Sequence, residues 1–449
     1  MGVDALTMIV FNRKALYYLL CLGLLGLVFF ITTDFLSRRI KVGDLYIQVN
    51  PKAKIKADKI YNIKLWDYNW PIRNGSGSYR SYLGKAIAEF RKTYPQVVVE
   101  IDLLELNTGP IKLKEALKKN SPPDIYCSAF QIPAFDYQHQ IPVGPYLKKV
   151  DLNAYYWFLN QMVSKNQVLL SFPRWSSVGL WIGNRDLLEQ AGLNPEEIQT
   201  LGWSWDQFAL ASAKLTKGKK VLAGNPGLEG FLGQLTASAE NKDQATNYWL
   251  GRSVDKTLAF LERLKDQKAF PTDFDSNMIG LFLEGKTMVL AGGKLSLLPF
   301  LNQHLQAKKA QWEAIWLPVP NRVGVTPSMI CENGVISIYR NKKDQDGDGA
   351  AVAIKLGQFL SVYSETAPWE ELMLMPAAQE VSSKWIERVG AKTASLDKLP
   401  NFLEKASIYH SGAGAKEMKW TLLIQNYLKG KIKREDARAE LNKLLSAKP

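Results

Sequence analysis

Ile63-Lys64-Leu65-Trp66-Asp67-Tyr68-Asn69-Trp70-Pro71 alternates like a strand through Leu65, then runs into two tryptophans, an aspartate and an asparagine before the proline stops it. Alternation with a period of two marks a strand with one buried face. An apolar strand that empties into aromatic and polar groups is what a sheet presents where its end lines a cleft.

Outward from this stretch, a Gly- and Ser-rich bend over residues 74–78 leads into a helix with Leu83, Ile87, Phe90 and Tyr94 on one face, ended by Pro95. Residues 97–104 read as a second strand, and Leu113 and Leu117 mark a second helix. Asn120-Ser121-Pro122-Pro123 stops that helix, because proline cannot continue it and biases its predecessor toward extended backbone. Residues 124–130 are a third strand. Strand, helix, strand, helix, strand at this spacing predicts an α/β fold with a parallel sheet wrapped by helices. Right-handed crossovers gather the carboxyl ends of such strands on one edge, where ligands bind. Asp67, Trp70, Asp124 and Ser128 fall at or near strand ends in this scheme.

Further along, residues 168–183 form a strand region broken by Pro173 and carrying Arg174, Trp175, Ser176 and Ser177. In Gly202-Trp203-Ser204-Trp205-Asp206-Gln207-Phe208, Ser204 and Gln207 form a capping box that starts a helix with Phe208, Ala211 and Leu215 on its apolar face. Trp205 is then a core residue, and Trp203, outside the cap, the freer candidate for a ligand. Val254, Leu258, Leu261 and Leu264 line one side of another helix, and Gly285 caps a short helix over residues 278–284. A strand over 287–290 runs into Ala291-Gly292-Gly293, where missing side chains permit close backbone approach. A strand over 334–339 and a helix over 351–360 follow. The last stretch, 400–449, reads as amphipathic helix with Leu422, Leu423, Tyr427 and Leu428 inward.

At 449 residues the chain exceeds the size at which one core usually splits, and 46% hydrophobic with 22% charged residues is a globular composition. The net charge of +14 is that of a solvated basic surface. No arginine-rich run, zinc pattern or nucleic-acid motif accompanies it, so no nucleic-acid partner is expected. Cys21 sits in an apolar run, which leaves Cys127 with Cys331 as the one possible disulfide, undecided by spacing. His139, His304 and His410 are far apart, so neither a metal site nor a cofactor is implied. Residues 15–32 are an uncharged apolar run preceded by Arg13 and Lys14, long enough to span a membrane. Without a small-x-small cleavage site, an uncleaved anchor is expected over a removed signal. Arg38, Arg39 and Lys41 follow the run, so charge does not fix its direction. Residues 33–59 read as a charged stalk.

Five stretches, in this order, resemble the extracellular solute-binding proteins of ABC importers, family 1. Phe90-Arg91-Lys92-Thr93-Tyr94-Pro95-Gln96-Val97 is similar to the family's F-x-x-x-Y-P-x-V, and Pro122-Pro123-Asp124-Ile125 to its P-P-D-[VI]. The capping-box stretch resembles P-x-T-W-D-E-F, with Gly202 and Ser204 where Pro and Thr are common. Phe282-Leu283-Glu284-Gly285-Lys286-Thr287-Met288 is similar to F-x-x-G-K-x-A-M, and Met375-Pro376-Ala377 to L-P-A-R. The resemblance implies a two-lobed periplasmic-binding-protein fold of type II, each lobe a mostly parallel sheet wrapped by helices, here after an N-terminal transmembrane helix. Carried over by position, 1–14 is an N-terminal segment, 15–32 the anchor or signal, and 33–59 the stalk. Residues 60–176 with 331–368 would form the first lobe, and 177–330 with 369–449 the second. The family's Gly-Gly before the hinge strand is replaced by Glu332-Asn333-Gly334, which puts polar side chains at the cleft.

A sugar offers apolar ring faces and a rim of hydroxyls. Flat aromatics suit the faces, and carboxylates and amides suit the rim, since each buried charge-assisted bond contributes about 1.5–3 kcal/mol. Trp66, Asp67, Trp70, Asp124, Ser128 and Trp175, with Glu332 and Asn333, would form one wall, and Trp203 with Gly292 and Gly293 the other. The implied activity is binding without catalysis: delivery of a sugar or polyol to ABC permease subunits by a monomer anchored on the outer face of the membrane. The alternatives are a tethered carbohydrate hydrolase using Asp67 and Asp124 as its two acids, and a ligand-sensing subunit. The acidic run through Asp344, Asp346 and Asp348 matches the start of a calcium loop, but Lys355 stands where a bidentate glutamate is needed, so a solvated turn is expected.

Overall fold

The computed structural model describes residues 39–72, 78–130, 132–217, 254–267, 277–320, 328–340, 347–390, 393, 396–405, 407–410 and 415–446. The apolar run 15–32, expected to be an anchor, lies outside the described residues. Among the described residues no helix is long and apolar enough to cross a membrane.

The opening stretch is a strand. Numbered in chain order, β1 is Arg39–Val42, β2 Leu45–Gln48, β3 Tyr61–Tyr68, β4 Val97–Leu104, β5 Ile125–Cys127, β6 Gln140–Ile141, β7 Ser164–Lys165, β8 Val168–Leu169 and β9 Phe172–Gly179. They are followed by β10 Trp181–Asn184, β11 Val289–Leu290, β12 Ala314–Leu317, β13 Ser328–Tyr339, β14 Met375–Pro376 and β15 Ser407–His410. Parallel β4, β3 and β5 are joined by the helices Tyr79–Thr93 and Gly109–Lys118, the expected alternation. Antiparallel β13, β9 and β14 extend this sheet beyond β5. The sheet is therefore mixed rather than mostly parallel, because β13 runs against both of its neighbours, β5 and β9.

Immediately after β9, the chain enters a smaller antiparallel sheet in the order β11, β10, β12. Successive side chains on its strands point to opposite faces. Trp181, Ile315 and Leu317 enter one apolar cluster with the helices Trp205–Thr216 and Val254–Asp266, while Ile182, Ala314 and Trp316 enter the other. Both faces are covered, so β10 is buried throughout. Val254, Leu258, Leu261 and Leu264 are all buried in the first of these clusters, as their spacing predicts.

Several expectations are corrected. Part of the segment read as a stalk is a β1–β2 hairpin docked on the larger sheet's lobe: Val42, Ile47 and Val49 are buried, Asn50 N donates to Tyr146 Oη at 3.0 Å, and Arg340 donates to Gln48 O. Of its apolar residues Val42 and Ile47 face inward while Leu45 and Tyr46 are exposed, a pattern too short and too mixed to read. The C-terminal stretch is interrupted by β15, parallel to β13, and Leu422 is exposed whereas Tyr427 and Leu428 are buried. Cys127 and Cys331 are free and buried. Cys127 pairs with Ile336, five residues along β13 from Cys331, about 16 Å at roughly 3.3 Å per residue, far beyond disulfide reach. Burial pushes the Cys331 thiol up to about 12. Asp344 and Asp346 of the acidic run lie outside the described residues. Asp348 is buried, with Lys59 Nζ at 2.7 Å and Tyr61 Oη donating at 3.0 Å.

Candidate functional site

Asp67 is the penultimate residue of β3, and its two oxygens are occupied. Tyr68 N donates to Oδ1 at 2.7 Å and Tyr79 Oη donates to Oδ2 at 2.8 Å. Arg174, from β9, sets Nη1 2.8 Å from Oδ2 and donates from Nη2 to Tyr79 Oη at 2.7 Å. Its guanidinium also lies 5.2 Å from the Trp369 ring centre. Side-chain exposures of 2% for Arg174 and 0% for Asp67 make this a fully desolvated pair. Burial pulls the Arg174 pKa down, but Asp67, together with the Cys127, Tyr79 and Tyr82 groups around it, outweighs that and holds the guanidinium charged. Desolvation drives the Tyr79 hydroxyl the other way, well above its ordinary value, so it stays a neutral donor.

Beside this pair, three aromatic rings meet edge to face. Trp70 lies 5.6 Å from Phe130 and 5.6 Å from Trp175, and Phe130 lies 5.4 Å from Trp175. They arrive from three chain segments: the turn after β3, the turn after β5, and β9. Gly334 makes the approach possible, since a Cβ there would sit 2.2 Å from the Trp175 ring. Trp70 Nε1, Trp175 Nε1 and Asn333 Oδ1 are buried with no hydrogen-bond partner among the described residues. Phe130 is 41% exposed, and Lys294 Nζ stands 5.6 Å from its centre while pairing with Glu332 at 2.6 Å. Lys294 follows Gly292-Gly293, and Gly293 O accepts from Leu180 N at 3.1 Å. A Cβ on Gly293 would press on Ile182 and on Leu180 O at 3.0 Å, which is the close approach the glycine pair predicts.

Of the residues expected at the cleft, the structure brings Trp70, Ser128, Trp175, Gly292, Gly293, Glu332 and Asn333 to this junction. Ser128 there is spoken for: its Oγ accepts from Val335 N at 3.0 Å. Four are elsewhere. Trp203 is fully buried in the smaller sheet's cluster, its Nε1 donating to Pro318 O at 2.8 Å, because the residue before a cap can turn inward as a staple. Asp124 precedes β5, beside Lys64, whose backbone N donates to it at 2.8 Å; this is the sheet's opposite edge. Trp66 is half-buried against the helix Gly109–Lys118, with Lys112 Nζ 4.5 Å from its ring. Asp67 is the buried partner of Arg174 and not a rim acceptor.

Arg174, Phe130, Lys294 and Trp369 were not expected at the site. Arg174 had a legible signal: a cation between Pro173 and Trp175 in a buried strand must have an acid. Phe130 and Lys294 had none, since their neighbours come from distant chain segments. Among the described residues no three His, Cys, Asp or Glu side chains are grouped to hold a metal.

Comparison with known proteins agrees with this architecture. No curated protein matches the chain by sequence. Among solved structures, the sugar-binding protein MalE of Xanthomonas citri superimposes with a TM-score of 0.63 at 17% identity, covering 86% of this chain and 97% of that one. The GacH receptor of Streptomyces glaucescens gives 0.57 at 18% identity, covering 87% and 100%. UspC of M. tuberculosis gives 0.60 at 15%, covering 85% and 100%. These likenesses establish the α/β two-lobed fold. A model of the bacterial extracellular solute-binding proteins matches residues 74–361. That span holds β4 through β13 and more than half of the chain, and the chain belongs to the bacterial extracellular solute-binding protein family.

Proposed function

We propose that the protein binds a sugar or sugar-like polyol between its lobes and delivers it to an ABC permease. The observation that carries this reading is the junction of Trp70, Phe130 and Trp175, with two indole N–H groups and the Asn333 amide oxygen buried without partners. Aromatic faces beside unsatisfied donors and an acceptor complement a ring with apolar faces and a hydroxyl rim, and unmade buried bonds are costly until a ligand or a lobe movement supplies them. Trp157, 51% exposed, begins the helix Trp157–Met162, whose Met162 Sδ accepts from Asn333 Nδ2 at 2.9 Å, and is a further aromatic candidate. The MalE and GacH neighbours, described as sugar-binding and as binding acarbose, favour a carbohydrate.

In this reading the open lobes sample closure, and a ligand touching both shifts the population by its preference for the closed form. Lobe boundaries near Ser176–Ser177 and Ile330–Cys331, an anchor at 15–32, a monomeric state and a position on the outer membrane face belong to the same proposal. A hydrolase using Asp67 and Asp124 is disfavoured, because Asp67 is ion-paired at zero exposure and Asp124 stands at the other edge. A thermal-shift screen of the full chain against mono- and disaccharides, glycosides, polyols and polyamines tests the assignment. Sugars should raise the melting temperature in proportion to the logarithm of concentration. A response confined to polyamines or metals would refute it.

A further inference from the structure

Between the helix Gly109–Lys118 and the segment after β5 lies a groove of about 740 Å³ that the sugar reading leaves unused. Its walls are Leu106, Pro110, Leu113 and Leu117 on one side, and Ile132 and Pro133 on the other. The floor is Tyr68 and Tyr126, whose hydroxyls lie 2.6 Å apart and share one hydrogen bond. At the far end His139 faces Asp136 at 3.0 Å through Nδ1 and Asn120 Oδ1 at 2.9 Å through Nε2. The exposed Lys114, Lys118 and Gln138 add polar groups to the lining, and the remainder offers an occupant mainly apolar surface. Leu106 and Ile132 are 44% and 36% exposed along it.

One end is shared with the candidate site. Phe130 lines the groove and also packs on Trp70 and Trp175, and Tyr68, on the floor, stands 6.4 Å from Trp70. We infer that the ligand is a glycoside whose sugar sits at the Trp70–Trp175 junction and whose apolar aglycone runs past Phe130 into this groove. The inference rests on the sugar reading and extends it to a ligand class. From Pro110 to Lys118 the wall is about 12 Å long at 1.5 Å per residue, which suits an alkyl chain of roughly eight to ten carbons. Burial of methylenes is favourable in proportion to the apolar surface removed from water, so even a partly seated chain would tighten binding by about tenfold or more.

Binding of octyl glucoside and octyl maltoside to the full chain, each below its micelle-forming concentration and beside its methyl glycoside, tests this by calorimetry. The octyl compounds should bind at least tenfold more tightly. Leu117→Trp, which fills the groove, and Leu106→Asp, an exposed change that leaves the core alone, should each remove that gain while methyl glycosides bind as before. Equal affinity of octyl and methyl glycosides overturns the inference and leaves the sugar reading standing. An octyl gain untouched by both variants also overturns it, as does equal binding of octanol and octyl glycoside, which marks a general lipid-facing surface. Absence of binding by any glycoside removes the sugar reading and this inference with it.

Discussion

Arg174 and Asp67 illustrate how a buried charge can be mistaken from its own neighbourhood. Asp67 follows a tryptophan at a strand end, a setting that suits a hydroxyl acceptor; what occupies it is a cation more than a hundred residues away in the chain. Two opposite charges at this depth attract strongly but have both left water, so the pair contributes little net stability, whereas breaking it leaves a carboxylate with nowhere to go. Arg174→Met should therefore cost about 3–5 kcal/mol by urea denaturation. Combining it with Asp67→Asn should recover a large part of that loss, because the second change removes the stranded charge. A single variant as stable as the parent, or a double variant no better than the single, would show that the ion pair is not what holds β3 to β9. Trp203 carries the complementary lesson. Sequence placed it outside a cap and therefore free to meet a ligand, but the cap fixes only the backbone, and the indole found Pro318 O in the core.

Elements were legible where their signals are local. Ser204 Oγ accepts from Gln207 N at 3.1 Å, and Gln207 Oε1 accepts from Ser204 N at 2.7 Å, so both halves of the capping box are made. Ser204→Ala should lower stability by about 1 kcal/mol, seen as an earlier urea midpoint with an unchanged slope. A loss within error would mean that the cluster around Trp205 and Phe208 holds the helix start without its cap. Gly285, at φ +67, ends the helix Met278–Leu283 with Lys286 N bonded to Leu281 O, the left-handed termination that a glycine at that place predicts. The alternation of β3, β4 and β5 with helices was equally readable, since each strand carries its own period. By contrast β1, β2 and β15 are four residues each, and their pairing depends on Tyr146, Arg340 and β13. A strand that short has no period to detect; its partner decides whether it exists. The candidate site divides along the same line, with the glycines and Trp175 found on or beside strands, and Phe130 and Lys294 supplied by turns.

For the whole molecule the decisive contact is Lys294. It follows the Gly292-Gly293 turn beside the smaller sheet, yet its ammonium bonds Glu332 on β13 and lies over Phe130 of the larger one. On the proposed division it reaches from the second lobe to the first, so it is made only when the lobes are close. A contact present in one conformer alone moves the equilibrium by its full net worth, however small that is. With side-chain exposures of 43% and 31%, the pair falls among partly solvated bridges, worth about 0.2–1 kcal/mol and weakened by salt. Lys294→Ala should then weaken binding of whichever sugar the screen identifies by up to about fivefold at low salt. Its effect should shrink at high salt, and the urea midpoint without ligand should hardly move, because neither lobe's core is touched. Equal affinities of parent and variant at low salt would place lobe closure under the control of the ligand alone. A drop in unliganded stability as large as the drop in binding would make Lys294 a structural residue, and the junction would have to be rigid rather than a hinge.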